Sequence, residues 1–204
     1  MRTIALRGAV VAALLALPAA LLAGPEADDR VLNVDLDGDP DLEIVSVRRV
    51  APLGDAQLRV TVSDPTTGRS GRLGRPVDRI GRLSARDFAR TGRLQVFTDG
   101  SSGASGRFYA AALGSWDGAR VRTLWRYDTG SARAPRGFAV GSALARIAGR
   151  TIDLRETLVP PDDPTCCPGV IRLRVSTYRY RPAAGAYLLE RRVTGAPRRL
   201  REDA

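Results

Sequence analysis

Histidine and lysine are both absent from this 204-residue chain, and each absence removes a branch of chemistry. Without histidine there is no Ser-His-Asp or Cys-His nucleophile system and no imidazole-ligated zinc. Without lysine there is no Schiff base and no Ser-Lys dyad. Acid–base work falls to Asp, Glu or Tyr alone. Aromatic residues make up only 5% of the chain, which leaves few platforms on which nucleic-acid bases could stack. Beyond the first two dozen residues no apolar run approaches membrane-spanning length, so no span is expected in the mature chain.

What is present begins with an export signal. Arg2 and Arg7 form a positive start, and Ala9 to Ala23 is apolar throughout apart from Pro18. That run is short for a membrane span and leads into the polar, turn-prone Gly24-Pro25-Glu26-Ala27-Asp28-Asp29. Residues 1–27 are read as a signal peptide and short linker, and the protein as secreted or held in the periplasm or cell envelope. Leu21-Leu22-Ala23 lacks a small residue at the minus-three position, which leaves an uncleaved anchor as the alternative; Pro25, where a lipidated cysteine would stand, argues against a lipoprotein. The net charge of +10 is carried by arginine alone. The arginines are scattered through alternating segments such as Arg172-Leu173-Arg174, where strand periodicity is expected to put them on a solvent face. A nucleic-acid binder clusters its charge, so no nucleic-acid partner is expected.

Strand signals dominate the rest. Leu42–Arg48, Gln57–Val62, Arg93–Thr98 and Val170–Tyr178 are short, alternating and rich in β-branched residues. Turn chemistry separates them at Pro52-Leu53-Gly54-Asp55, Pro65–Gly68, Asp99–Gly103 and Pro182–Gly185. Asp117-Gly118 predicts a two-residue hairpin between Phe108–Leu113 and Ala119–Trp125. Helix signals reduce to a turn near Ser84–Ala89 and another near Ser142–Ile147. The fold class expected is all-β.

Within this basic chain, Asn33-Val34-Asp35-Leu36-Asp37-Gly38-Asp39-Pro40-Asp41-Leu42 sets acidic groups at every second position around one glycine. Like charges so close repel unless water or a cation separates them. Alternating oxygen donors on a tight loop suit Ca²⁺, which takes six to eight oxygens. Gly38 permits the positive φ that such a turn needs, whereas a register two residues later would put Pro40 there. Ile44 stands where an EF-hand has its bidentate glutamate, so this is not an EF-hand, and a weak site of about 10⁻⁴ to 10⁻³ M is expected. The alternative is a metal-free turn held by Asx hydrogen bonds.

A fainter copy follows at Asp87–Phe97, with Gly92 under Gly38, Gln95 under Asp41 and Val96 under Leu42, and a third lies near Ala145–Leu154 around Gly149. The three glycines are spaced by a little over fifty residues, a period that suggests small β-units stacked on a shared core. At this point the chain resembles the FG-GAP/VCBS repeat family, whose loop reads Asp-x-(Asp/Asn)-x-Asp-Gly-x-x-Asp-Leu before a hydrophobic strand. Asn33, Asp35, Asp37, Gly38, Asp41 and Leu42 occupy those positions in order, with Asn33 in place of the leading Asp. The resemblance implies blades of the integrin-type β-propeller kind, with side-chain oxygens of Asn33, Asp35, Asp37 and Asp41 and the carbonyl of Asp39 on calcium. It covers two to three repeat units, here about 33–86, 87–144 and 145–195, inside a β-rich domain 28–195 followed by a charged tail at 196–204.

Both cysteines lie in Cys166-Cys167-Pro168-Gly169. In an exported protein they are expected to oxidise, and the intramolecular option is a vicinal disulfide, strained because adjacent Cα atoms sit about 3.8 Å apart. A rigid kink in the Pro160–Pro164 loop and an interchain bridge are the other readings. The function expected is a non-catalytic, calcium-stabilised module that displays loops, Asp99–Ser105 and Pro160–Gly169, to a protein or glycan at the cell envelope. The alternative is a secreted carboxylate-based hydrolase using Asp99, Asp117, Asp153 or Glu156.

Overall fold

The computed structural model describes residues 30–50, 57–103, 108–161 and 169–199. These form an all-β protein of three antiparallel sheets, with no helix among the described residues. The first sheet contains β1 (Val31–Val34), β2 (Glu43–Arg49), β3 (Leu58–Ser63) and β4 (Ser70–Val77). The second holds β5 (Arg79–Arg86), β6 (Gln95–Ser102), β7 (Phe108–Trp116) and β8 (Val121–Asp128). The third runs β9 (Ala139–Ala148), β10 (Thr151–Val159), β11 (Val170–Arg181) and β12 (Ala186–Thr194), with β13 (Arg198–Arg199) paired to the start of β11. Apart from β13, each sheet is a meander in which strands lie side by side in chain order.

The sheets stack, and the second is the middle layer. Alternation does the sorting: in β3, Leu58, Val60 and Val62 point inward while Arg59, Thr61 and Ser63 do not. β6 is buried on both faces from Gln95 to Gly100. Its Val96 joins Val45, Val60, Leu73 and Trp116 in a core shared with the first sheet. Its neighbour Phe97 joins Leu113, Trp125, Ile152 and Leu154 in a core shared with the third. Trp125 meets Tyr178 edge-on at 5.7 Å between ring centres, tying the second sheet to the third.

Polar pairs also bridge the second and third sheets. The Tyr109 hydroxyl donates to Asp99 Oδ2 at 2.8 Å and accepts from the Ala145 amide at 3.0 Å. Arg82 pairs with Asp99 and donates to the Ala145 carbonyl at 2.6 Å. Both backbone groups of Ala145, on edge strand β9, are thereby satisfied. Further along, the Tyr127 hydroxyl donates to Glu156 at 2.8 Å, and Arg174 grips the same carboxylate through two nitrogens. The outer face of the third sheet carries a row Leu144, Arg155, Val175 and Val193 in register across four strands, all exposed.

Several expectations need correcting. Asp99-Gly100 is not a turn but strand interior, and the loop expected at Asp99–Ser105 opens only at Gly103. Gly100 is needed there because a Cβ would lie 2.3 Å from the Arg79 carbonyl and 2.6 Å from Val77, where the chain crosses between sheets. The helical turn expected at Ser142–Ile147 is part of β9, and Ser84–Arg86 ends β5. The Asp117-Gly118 hairpin exists, but its loop is Asp117–Arg120 and not two residues. The sheets span 31–77, 79–128 and 139–199, so β5 and β9 belong with the loops that follow them, and within the charged tail Arg198–Arg199 pair with β11. Residues 1–29, the cysteines Cys166 and Cys167 and most of the Pro160–Gly169 loop lie outside the described residues.

Candidate metal centre

The acidic stretch forms the β1–β2 connection. Leu36 is its anchor: the side chain is 1% exposed and sits in the core between the first two sheets. Gly38 takes φ +88°, the left-handed value a residue with a Cβ resists. Its amide donates to Asp35 Oδ1 at 2.6 Å, and the Asp41 amide donates to Asp39 Oδ1 at 2.9 Å. The loop leans on the second sheet, since a Cβ on Gly118 would stand 3.1 Å from Asp37 Oδ2.

The carboxylates brought together are Asp35, Asp37 and Glu43, whose oxygens lie within 4.8 Å of one another. Asp39 and Asp41 stand outside this group, and Asn33 is in β1 opposite Ile44 with its side chain exposed. Glu43 was missed in the sequence. It is the first residue of β2, 1% exposed, and its Oε2 accepts the Leu36 amide at 2.7 Å. The signal was nonetheless there: the polar alternation through 33, 35, 37, 39 and 41 continues to 43.

Electrostatics at Glu43 suit a cation. Burial pushes its carboxyl above the ordinary carboxylate value, the Leu36 amide works against that, and the charges of Asp37 and Asp39 push it further up. Three hard oxygen donors converging on a bent loop are the chemistry Ca²⁺ accepts, with carbonyls and water completing its shell. The donor set fits that ion.

The second sheet carries the same device without the charge. Gln95 opens β6 as Glu43 opens β2, is 2% exposed, and accepts the Ala89 amide at 2.8 Å as Glu43 accepts that of Leu36. Gln95 therefore corresponds to Glu43 and not to Asp41, as the sequence alignment had it. Its Nε2 donates to Thr91 Oγ1 at 3.2 Å, and Asp87 accepts the Thr91 and Gly92 amides at 2.8 and 2.9 Å. This loop closes on its own hydrogen bonds. In the third sheet the same place is a tight turn at Gly149, φ +54°, between β9 and β10.

The carboxylates considered for hydrolysis are each engaged. Asp99 is held by Arg82 and Tyr109, and Glu156 by Arg174 and Tyr127. Asp117 accepts the Ala119 and Arg120 amides of its own turn, and Asp153 accepts the Thr177 hydroxyl at 2.8 Å. Among the described residues no helix is long and apolar enough to cross a membrane. No family model matches the chain, and comparisons with curated proteins and with solved structures return no match.

Proposed function

We propose that this chain is an exported, non-catalytic β-module, stabilised by Ca²⁺ at the β1–β2 loop, that binds a protein or a glycan at the cell envelope. The reading rests on one observation: Asp35, Asp37 and the buried Glu43 converge, while the matching loop places the uncharged Gln95 at that station. The resemblance of the loop to the FG-GAP/VCBS repeat supports it. The hydrolase alternative is not favoured, because Asp99 and Glu156 are neutralised by arginines.

Calcium at about 2 mM, binding with a Kd of about 10⁻⁴ to 10⁻³ M, adds on the order of 1 kcal/mol to folding. For a chain of this size that is a rise in Tm of about 2–4 °C over chelator. Asp37→Ala is expected to remove the rise. Identical melts of the native protein in chelator and in calcium would refute the site.

A further inference from the structure

A cleft of about 420 Å³ opens beside the crossing of the first sheet into the second, far in sequence from the acidic loop. Its size lies in the range of about 300–1,000 Å³ usual for small-ligand sites. Phe108, the first residue of β7, stands at its rim with 57% of its surface exposed. The same cleft is lined by Pro76 and Arg75 from the end of β4, and by Asp128 from the end of β8, with Gln57 and Ser102 as further polar residues.

A lone exposed phenylalanine is ordinary. Its placement beside a prearranged ion pair is what carries the argument. Arg75 Nη1 donates to Asp128 Oδ1 at 3.1 Å. The Ser131 amide donates to the same oxygen, and the Ser131 hydroxyl to Oδ2, each at 2.8 Å. Burial alone would raise the Asp128 carboxyl, but the Ser131 hydroxyl and amide, with the Arg75 guanidinium, hold it below its ordinary value. Asp128 is thus an ionised, fixed acceptor whose Oδ2 keeps a lone pair free. The Arg75 side chain is 68% exposed and keeps donors to spare.

We infer that this cleft binds a neutral glycan, one pyranose ring stacking on Phe108 while neighbouring hydroxyls bridge Arg75 and Asp128. The C–H face of a sugar carries partial positive charge that meets the negative face of the aromatic ring. A vicinal diol can donate to the carboxylate and accept from the guanidinium together. Because the pair is neutral as a unit, it selects against anionic polymers, and an apolar peptide would leave it unmatched. The inference narrows the proposed binding role to one ligand class and rests on that role, but not on the calcium loop.

The test uses the calcium-loaded full-length chain, isotope-labelled for NMR. Its probes are soluble neutral tetrasaccharides of glucose, galactose, mannose and N-acetylglucosamine. At about 10 mM ligand, where a Kd in the millimolar range still registers, at least one saccharide is expected to shift the Phe108, Asp128 and Gly130 amides saturably. Phe108→Ala is expected to weaken that binding at least about tenfold with Tm unchanged, since the ring is exposed, and Asp128→Asn to weaken it in parallel. Silence of these amides with every saccharide overturns the inference. So does binding that survives Phe108→Ala, or saturable binding of a polyproline peptide in place of sugar. Any of these, with a calcium-dependent melt intact, leaves the calcium-stabilised module standing and removes only the glycan site.

Discussion

Glu43 and Gln95 hold the same station in consecutive sheets, and the exchange of an oxygen for an NH₂ group separates a loop that accumulates charge from one that satisfies itself. Glu43→Gln is therefore expected to abolish calcium-dependent stabilisation while leaving the calcium-free protein at least as stable as the native one. The sign follows from the raised carboxyl of Glu43. A folded value above the ordinary 4.5 means that ionisation opposes folding, so calcium-free native protein gains stability as pH falls through that raised value toward 4.5. The variant lacks this gain. Denaturant titrations of both proteins in chelator, at a series of pH values, measure the difference; parallel curves would show that neither burial nor its acidic neighbours raise the Glu43 carboxyl. The loop was legible in sequence because spacing and glycine are local properties. The Glu156–Arg174 pair was not, because its burial is set by the second sheet laying Tyr127 over both, and nothing in β10 or β11 alone announces that neighbour.

At the scale of the element, alternation located β2, β3, β6 and β11 but misassigned the faces of β11, where Arg174 and Ser176 are buried while Leu173 and Val175 are exposed. It failed where tertiary contact overrode local preference. Asp99-Gly100 reads as a turn by composition, yet Gly100 sits in a strand because Val77 and Arg79 pass too close for any side chain. Gly100→Ala is expected to cost about 1–3 kcal/mol, the penalty of overpacking against unyielding backbone, seen as a lowered denaturation midpoint with unchanged slope. An unaltered midpoint would mean that the crossing is looser than described. Ser142–Ile147 misled in the opposite way, since alanine and leucine suit a helix until pairing with β10 draws them into strand.

For the whole molecule, the stacked arrangement makes the second sheet dependent on both neighbours. A chain cut after Thr129 loses the third sheet and bares Phe97, Leu113, Leu124 and Trp125. Such a fragment is expected to bind a hydrophobic dye and to associate in sedimentation, whereas the full chain does neither through that face. A monomeric, dye-silent fragment would show that the second core is dispensable. The shared period of the three glycines pointed to stacked units, but the sheet limits escaped sequence reading because a period marks recurrence and not where hydrogen bonding starts.

Asp78 alone joins β4 to β5, whereas the segment 129–138 joins β8 to β9. So short a joint gives the first two layers little room to hinge, and an ion bound to one would stiffen its neighbour through the backbone itself. The last layer hangs on a longer tether, so of these two joints it is the one between β8 and β9 that has slack.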